Sequence, residues 1–201
     1  LAQAVIQLLG GIETTRAIHR TFGIIFCLEA VYHFGYIGWS AAMGRLVPSM
    51  LPARRDARDA LGAFAYATRS SSSRPLFDRF DYRQKFEYWG VILGGMIVIV
   101  TGLILMFPVG ATQIFPGVIV PASREMHGGE AILAFSIIVT WHLYGAHLNP
   151  HRFPGDSTIF TGKISRKRMI EEHPREYARI TGIPLDEVAS QAEASPGHEV
   201  Q

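Results

Sequence analysis

Three long apolar segments constrain this chain more than any other feature of its sequence. They cover residues 17–39, 88–107 and 126–148 and hold very few charged side chains. A helix that crosses a bilayer needs about 20 predominantly apolar residues, and each segment reaches that length. A chain of 201 residues would have little sequence left to cover three such helices in a soluble core. We therefore predict an all-α integral membrane protein, a transmembrane helical bundle with three visible spans.

The composition supports this class and excludes several others. Charged residues make up 18% of the chain and the mean hydropathy is +0.18, whereas ordinary soluble domains carry about 25% charged residues. The net charge of +2 and the lack of a long Lys/Arg-rich run argue against binding to nucleic acid. Cys27 is the single cysteine of the sequence, which excludes a disulfide framework.

The basic residues of the loops predict the orientation in the membrane. Most Lys and Arg residues fall within 41–87 and 149–201, whereas the segment 108–125 holds only Arg124. The positive-inside rule then places the loop 41–87 and the C-terminal tail in the cytoplasm. The first and third spans therefore run parallel to each other, from outside to inside.

The chain is accordingly expected to comprise three parts. An amphipathic segment at the outer surface covers residues 1–16, the transmembrane bundle covers 17–148, and the cytoplasmic tail covers 149–201. From about Leu185 the tail is acidic and polar, so we expect it to be poorly ordered.

Four histidines occur in two pairs, one on the first span and one on the third. His19 and His33 lie 14 residues apart, and His127 and His142 lie 15 residues apart. Along an α-helix, 14 steps return a side chain to within about 40° of its first direction, and 15 steps to within about 60°. Each pair spans roughly 21–22 Å along its helix axis. Because the two spans are parallel, His19 and His127 lie near the outer surface, and His33 and His142 lie deeper.

This arrangement is typical of two haems that are each bound by two imidazoles. Haem iron with two axial imidazoles is suited to passing single electrons. We predict two haem b groups, the outer one on His19 and His127 and the inner one on His33 and His142. A single histidine in a span is more often a packing residue or part of a polar pathway. Four histidines that match in depth, helix direction and helix face favour haem ligation.

Small and basic residues near these histidines could complete the sites. Gly23 lies one turn after the first histidine and would let a flat ring approach the backbone. Arg16, Arg20 and Arg124 at the outer surface could pair with haem propionates, and Arg45 and Arg152 could do so on the inner side.

Polar residues also cluster after the inner histidine of the third span. His147, Asn149 and Arg152 lie beside His142 at the depth expected for a quinone site, and we regard them as candidate quinone contacts. His147 and His151, four residues apart, could instead be interfacial or bind a metal ion.

Two carboxylates lie within the apolar spans. Glu29 falls between the two histidine levels, and Glu130 lies one turn after His127. An ionisable group in a span is a candidate functional residue, although a protonated side chain bonded to a neighbouring helix would also explain each.

Several runs of the sequence resemble a known family. These are YRQKFEYWGVILGGMIVIVTGLILMFP, MHGGEAILAFSIIVTWHLYGAHL and TGKISRKRMIEEHPREYARI. They resemble the b-type cytochrome subunit of membrane formate dehydrogenases and the related subunits of nickel-iron hydrogenases and multihaem-cytochrome quinone reductases. The resemblance implies a four-helix, di-haem, quinone-reactive subunit that docks on a catalytic or electron-carrying partner. His19, His127 and His142 match ligand positions of that family.

The chain departs from the formate dehydrogenase type in two respects. That type takes its fourth haem ligand from an additional span before the one that contains His19, and this sequence has no such span. It has instead His33, which that type lacks. We expect His33 to complete the inner haem; the alternative is that an absent N-terminal helix supplies the ligand.

Taken with the histidine pattern, the resemblance predicts an electron-transfer subunit of a quinone-linked oxidoreductase rather than a complete enzyme. Such a subunit would lie in a bacterial cytoplasmic membrane with its C-terminus in the cytoplasm. It would connect an extracytoplasmic partner (a multihaem cytochrome c, or an iron-sulfur, molybdenum or nickel enzyme) with menaquinone or ubiquinone. The alternatives are a stand-alone transmembrane haem reductase and a haem-free membrane anchor of an enzyme complex.

Overall fold

The computed structural model describes residues 2–149, 153 and 155–194, and these residues contain helices and no strand. They form two compact units, Leu1–Val47 with Gly90–Ile137, and Pro48–Trp89 with Ile138–Gln201. The helices, in chain order, are α1 (Ala2–Leu8), α2 (Ile12–Ala42), α3 (Arg54–Ala67), α4 (Tyr82–Met106), α5 (Pro108–Ile114), α6 (Ile119–Ile137), α7 (Thr158–Thr161), α8 (Arg166–Glu172), α9 (Pro174–Thr181) and α10 (Leu185–Ala194).

Three of the described helices are long and apolar enough to cross a membrane. They are α2 with 31 residues, α4 with 25 residues, and α6 with its π-helical continuation, Ile119–Leu148, with 30 residues. Each exceeds the length of about 20 residues that a bilayer requires. The predicted fold class, an all-α membrane bundle, is confirmed.

Helix α2 is longer than the apolar segment from which it was predicted. It begins directly after Gly10 and Gly11, whose φ angles of 89° and 94° are strained for any residue with a side chain. It continues to Ala42 and is followed by Gly44, which has a φ of 64°. Two glycine breaks therefore set its ends, and His19 lies about two turns inside the helix.

The third span changes its helical type before it ends. α6 is followed by two π-helical turns, Ile138–His142 and Tyr144–Leu148, and His142 is the last residue of the first turn. A π-helix closes its hydrogen bonds over five residues instead of four. The prediction that His127 and His142 share a face assumed α-helical geometry throughout, so this assumption was wrong at the inner histidine.

The second unit has a small apolar core. Phe77, Ile170 and Val188 are its buried hydrophobic side chains among the described residues. Arg175 binds the polypeptide just before α4, since its backbone amide donates to the Phe77 carbonyl over 3.1 Å and its Nε donates to the Leu76 carbonyl over 2.6 Å. These hydrogen bonds join residues about a hundred positions apart in the chain.

The expectation of a poorly ordered tail from Leu185 was wrong for its first turns. These residues form α10, which packs on α8 and α9, and Val188 is fully buried there. The segment is polar in composition, yet the neighbouring helices remove its one valine from solvent. Burial of a single apolar side chain of this size contributes about 1.5–3 kcal/mol, which favours an ordered helix.

A charged cluster stabilises the start of α8. The Arg168 guanidinium donates to both oxygens of Asp156, at 3.1 and 2.8 Å, and its Nε donates to Glu172 over 3.0 Å. These hydrogen bonds hold the pKa of Asp156 well below its usual range. The pair therefore stays charged at all but strongly acidic pH.

Candidate functional site

The structure brings His19 and His127 together within the first unit. Their ring centroids lie 5.9 Å apart and their ring planes are perpendicular, with an interplanar angle of 90°. His19 comes from α2 and His127 from α6, so two different predicted spans contribute one ring each. Facing side chains on neighbouring helices are the usual way in which helical bundles build cofactor sites.

The separation of the two rings fits a shared iron. Metal–imidazole bonds are about 2 Å long, so two rings on opposite sides of one metal ion have centroids roughly 6 Å apart. The observed 5.9 Å agrees with that value. Because haem ligation uses one nitrogen of each ring, the position of the protons on these rings also matters.

Thr101 of α4 decides which nitrogen of His127 carries its proton. The Thr101 hydroxyl donates to the Ile97 carbonyl, with an oxygen–oxygen distance of 2.6 Å, and lies 3.0 Å from His127 Nδ1. Because the hydroxyl hydrogen is directed at the Ile97 carbonyl, the Thr101 oxygen faces His127 Nδ1 with a lone pair. Nδ1 therefore carries a proton and donates it in a hydrogen bond to this oxygen. The neutral imidazole then keeps its lone pair on Nε2, the nitrogen that can bind a metal. Thr101 is 4% exposed, which protects this hydrogen bond from water.

The glycine after Thr101 makes room for the same ring. A Cβ at Gly102 would lie 3.1 Å from His127 Cε1 and 3.6 Å from Nδ1. The Thr-Gly pair of α4 therefore supports and accommodates the His127 ring. In the sequence these two residues belong to a run that resembles the cytochrome family, and no role was predicted for them. A hydroxyl beside a glycine in an otherwise apolar span was a signal that pointed to them.

The backbone beside the two histidines is open to a flat group. Apart from the chain neighbours and the local backbone of the same helix, no described residue comes within 4 Å of a Cβ placed at Gly23, Gly128 or Gly129. These glycines lie four residues after His19 and directly after His127. The prediction that Gly23 permits close approach of a ring is thus compatible with its surroundings.

The outer arginines differ in their surroundings. Arg16 forms an ion pair with Glu13, at 2.7 Å, and both side chains are largely exposed. Arg20 and Arg124 are exposed as well. An exposed pair is weak because water screens it, so Arg16 could exchange Glu13 for another anion at little cost. Their assignment to propionates stays a prediction.

The two inner histidines lie in different units. His33 is half-buried in α2, and its ring centroid lies 5.8 Å from that of Phe34. His142 lies in the second unit, where its Nδ1 is 3.3 Å from Glu87 Oε2 of α4. The pairing of His33 with His142 stays a prediction.

The candidate quinone residues are described only in part. His147 is half-buried in the second π-helical turn, and its Nδ1 would lie 3.3 Å from a Cβ placed at Gly155. Asn149 ends this turn, where its backbone amide donates to the Tyr144 carbonyl over 2.8 Å. Arg152 and His151 lie outside the described residues.

The two carboxylates in the spans have different environments. Glu130 is half-buried, and its carboxyl group lies against the backbone of Gly94 in α4, where a Cβ would overlap it. Glu29 is exposed on α2. Glu130 thus fits the description of a polar group that packs on a neighbouring helix, one turn away from His127.

Within the described ranges, no three His, Cys, Asp or Glu side chains converge as they would around a metal ion held by protein ligands alone. Haem iron requires only two axial protein ligands, because the porphyrin supplies the other four. The donor set around His19 and His127 therefore fits haem better than it fits a zinc-type centre.

Comparison with known proteins agrees with this chemistry. No protein-family model matches the chain. It is 25% identical over 178 residues to the cytochrome b556(Fdn) subunit of the nitrate-inducible formate dehydrogenase of Escherichia coli K12, an alignment that covers 89% of this chain and 76% of the relative. The same subunits of Escherichia coli O157:H7 and Shigella flexneri match with the same identity and coverage. The comparison therefore confirms the resemblance predicted from the sequence, which is to the b-type cytochrome subunit family.

Proposed function

We propose that this chain is a membrane di-haem cytochrome b subunit that transfers electrons between an extracytoplasmic redox partner and the quinone pool. The observation that carries the proposal is the pair of facing imidazoles of His19 and His127, with Nδ1 of His127 bonded to Thr101. The similarity to a cytochrome b556 subunit supports a membrane cytochrome b role in electron transfer.

Four histidines would hold the two haem b groups. His19 and His127 are the proposed outer ligands, and His33 and His142 the proposed inner ligands. When bound, haem iron with two axial imidazoles supplies reversible one-electron transfer. The chain itself contributes the orientation of the ligands, since the Thr101 hydroxyl fixes the tautomer of His127 and Gly102 leaves space for its ring.

The partner and the quinone are the finer parts of this proposal. The relatives are subunits of a formate dehydrogenase, and this supports a separate redox enzyme as the partner of this chain. Quinone binding is proposed near His142, with His147, Asn149 and Arg152 as contacts. These polar residues follow the inner histidine in sequence.

The direct test is an optical measurement on the purified full chain in detergent. A reduced-minus-oxidised spectrum identifies b-type haem, and a pyridine haemochrome assay counts the haems per chain. We expect two haems per chain, and reduction of both by an added short-chain quinol. One haem would show that one of the two proposed histidine pairs does not bind haem, and none would leave the haem-free anchor.

Gly102→Ala should weaken haem binding at the outer pair. The new Cβ would lie 3.1 Å from His127 Cε1, so the ring must shift and its hydrogen bond to Thr101 lengthens. Loss of such a supporting contact typically lowers the affinity of a metal site by about 10–100-fold. The transfer of haem from the purified protein to excess apomyoglobin measures this change as a faster rate. Gly90→Ala is the matched control on the same helix, because no described atom beyond the local helix backbone lies within 4 Å of its added Cβ.

A further inference from the structure

The two candidate ligands of α6 and its continuation have different partners at Nδ1. His127 donates to the neutral hydroxyl of Thr101, at 3.0 Å. His142 instead lies 3.3 Å from a carboxylate oxygen of Glu87. Both partners belong to α4, near its two ends, and the sequence predicted no role for either. The two imidazoles are therefore supported by acceptors of different charge.

Contacts on both sides of Glu87 fix its position in the second unit. The preceding Phe86 packs on Trp141, with ring centroids 5.8 Å apart, so adjacent residues of α4 meet adjacent residues of the π-helical turn. The Lys85 ammonium donates to both oxygens of Asp56, at 2.8 and 3.0 Å. On the other side of Glu87, Trp89 Nε1 donates to the Met50 carbonyl over 2.9 Å. The Glu87 side chain is 23% exposed, so it is partly shielded from solvent.

Glu87 changes the electronic character of the imidazole that it contacts. A carboxylate that accepts the Nδ1 proton of a histidine fixes the tautomer with the lone pair on Nε2 and makes the ring a more basic ligand. A more basic ligand stabilises ferric iron relative to ferrous iron and so lowers the reduction potential. The neutral hydroxyl of Thr101, which already donates to Ile97, exerts a weaker effect of the same kind on His127.

We propose that Glu87 is a positioning residue for the His142 ligand and holds the potential of the haem on His142 below that of the haem on His127. This inference rests on the proposed di-haem function and adds an order to the two haem potentials. The unequal hydrogen-bond partners of the two histidines are the structural basis of that order.

A redox titration of the full chain tests the proposal, with the optical spectrum as the readout. His142→Ala, which keeps only the other haem, identifies the component of the titration that belongs to His142. Glu87→Gln preserves the size of the side chain and removes its charge. We expect a tenfold shift of the ferric–ferrous equilibrium towards ferrous iron at that haem, which equals about 59 mV for one electron. The other haem should keep its potential, and the haem content should be unchanged.

Two further variants provide the controls. Glu87→Asp retains the charge and should restore part of the original potential. Asp186→Asn removes an exposed carboxylate of α10 and should leave both potentials unchanged. If Glu87→Gln loses the His142 haem while Glu87→Asp retains it, the titration of Glu87→Asp decides. The potential of the His142 haem should then lie above the wild-type value, because the shorter side chain moves the charge away from Nδ1, and an unchanged potential would overturn the inference.

Other outcomes would overturn the inference. Two haems with unchanged potentials in Glu87→Gln would show that the carboxylate does not act on the ligand. Equal shifts of both haems would indicate a general charge effect. If the wild-type chain holds no haem, or if His142→Ala keeps both, it is the proposed function that fails, whatever Glu87 does.

Discussion

Replacing His127 with alanine should remove one haem from each chain and leave the other in place. In the proposed outer site the facing rings of His19 and His127 would supply both protein ligands, and alanine offers no donor to the iron. Loss of one ligand also leaves the Thr101 hydroxyl without its partner at Nδ1. The pyridine haemochrome assay should therefore give half of the wild-type haem per chain.

Two further variants test whether His19 and His127 bind the same haem or act at two independent sites. His19→Ala should remove the same haem, and the double variant should lose no more than either single variant, because in the proposed site both histidines would bind one iron. His173→Gln is the control: His173 lies outside the spans, its Nδ1 is 2.9 Å from the Asp78 carbonyl, and glutamine can also donate there. Full haem content in His127→Ala, or additive losses in the double variant, would contradict the assignment of the outer pair.

Replacing Val188 with aspartate should unfold the helices at the C-terminal end of the second unit. Val188 has no exposed surface, and α10 packs on α8 and α9 through it. A carboxylate at this position would be buried without a designed partner, and such changes cost about 3 kcal/mol or more. Trypsin should then cut after the arginines of α9 much faster than in the wild-type protein, since those bonds become accessible when the helices separate.

A variant of the same helix controls for the added charge. Ser190 is exposed on α10, so Ser190→Asp adds a carboxylate without burying it. Its digestion rate should match that of the wild type. Equal protection of Val188→Asp and Ser190→Asp would mean that α10 contributes little to this unit. Retained haem in Val188→Asp would place the damage in the second unit and away from His19 and His127.

The sequence alone predicted the membrane spans and the histidines. An apolar run of about 20 residues suffices to identify a spanning helix. In a bilayer such a run must be helical, because the helix satisfies every backbone polar group internally. The four histidines stand out because they are polar residues within apolar segments. Helix ends were predicted less well, since Gly10 and Gly44 stop α2 through their backbone angles and not through hydropathy.

Only the tertiary structure revealed the groups that support these histidines. Thr101 and His127 are 26 residues apart and Glu87 and His142 are 55 apart, and no local pattern joins such pairs. The π-helical turns at His142 likewise depart from the α-helical period on which the sequence argument relied. The polar composition of α10 predicted disorder, but the structure has an ordered helix there, since α10 packs on α8 and α9 and Val188 is buried. Spans are determined by local hydropathy, whereas the proton positions on the candidate ligands and the order of the first turns of the tail depend on contacts between distant segments.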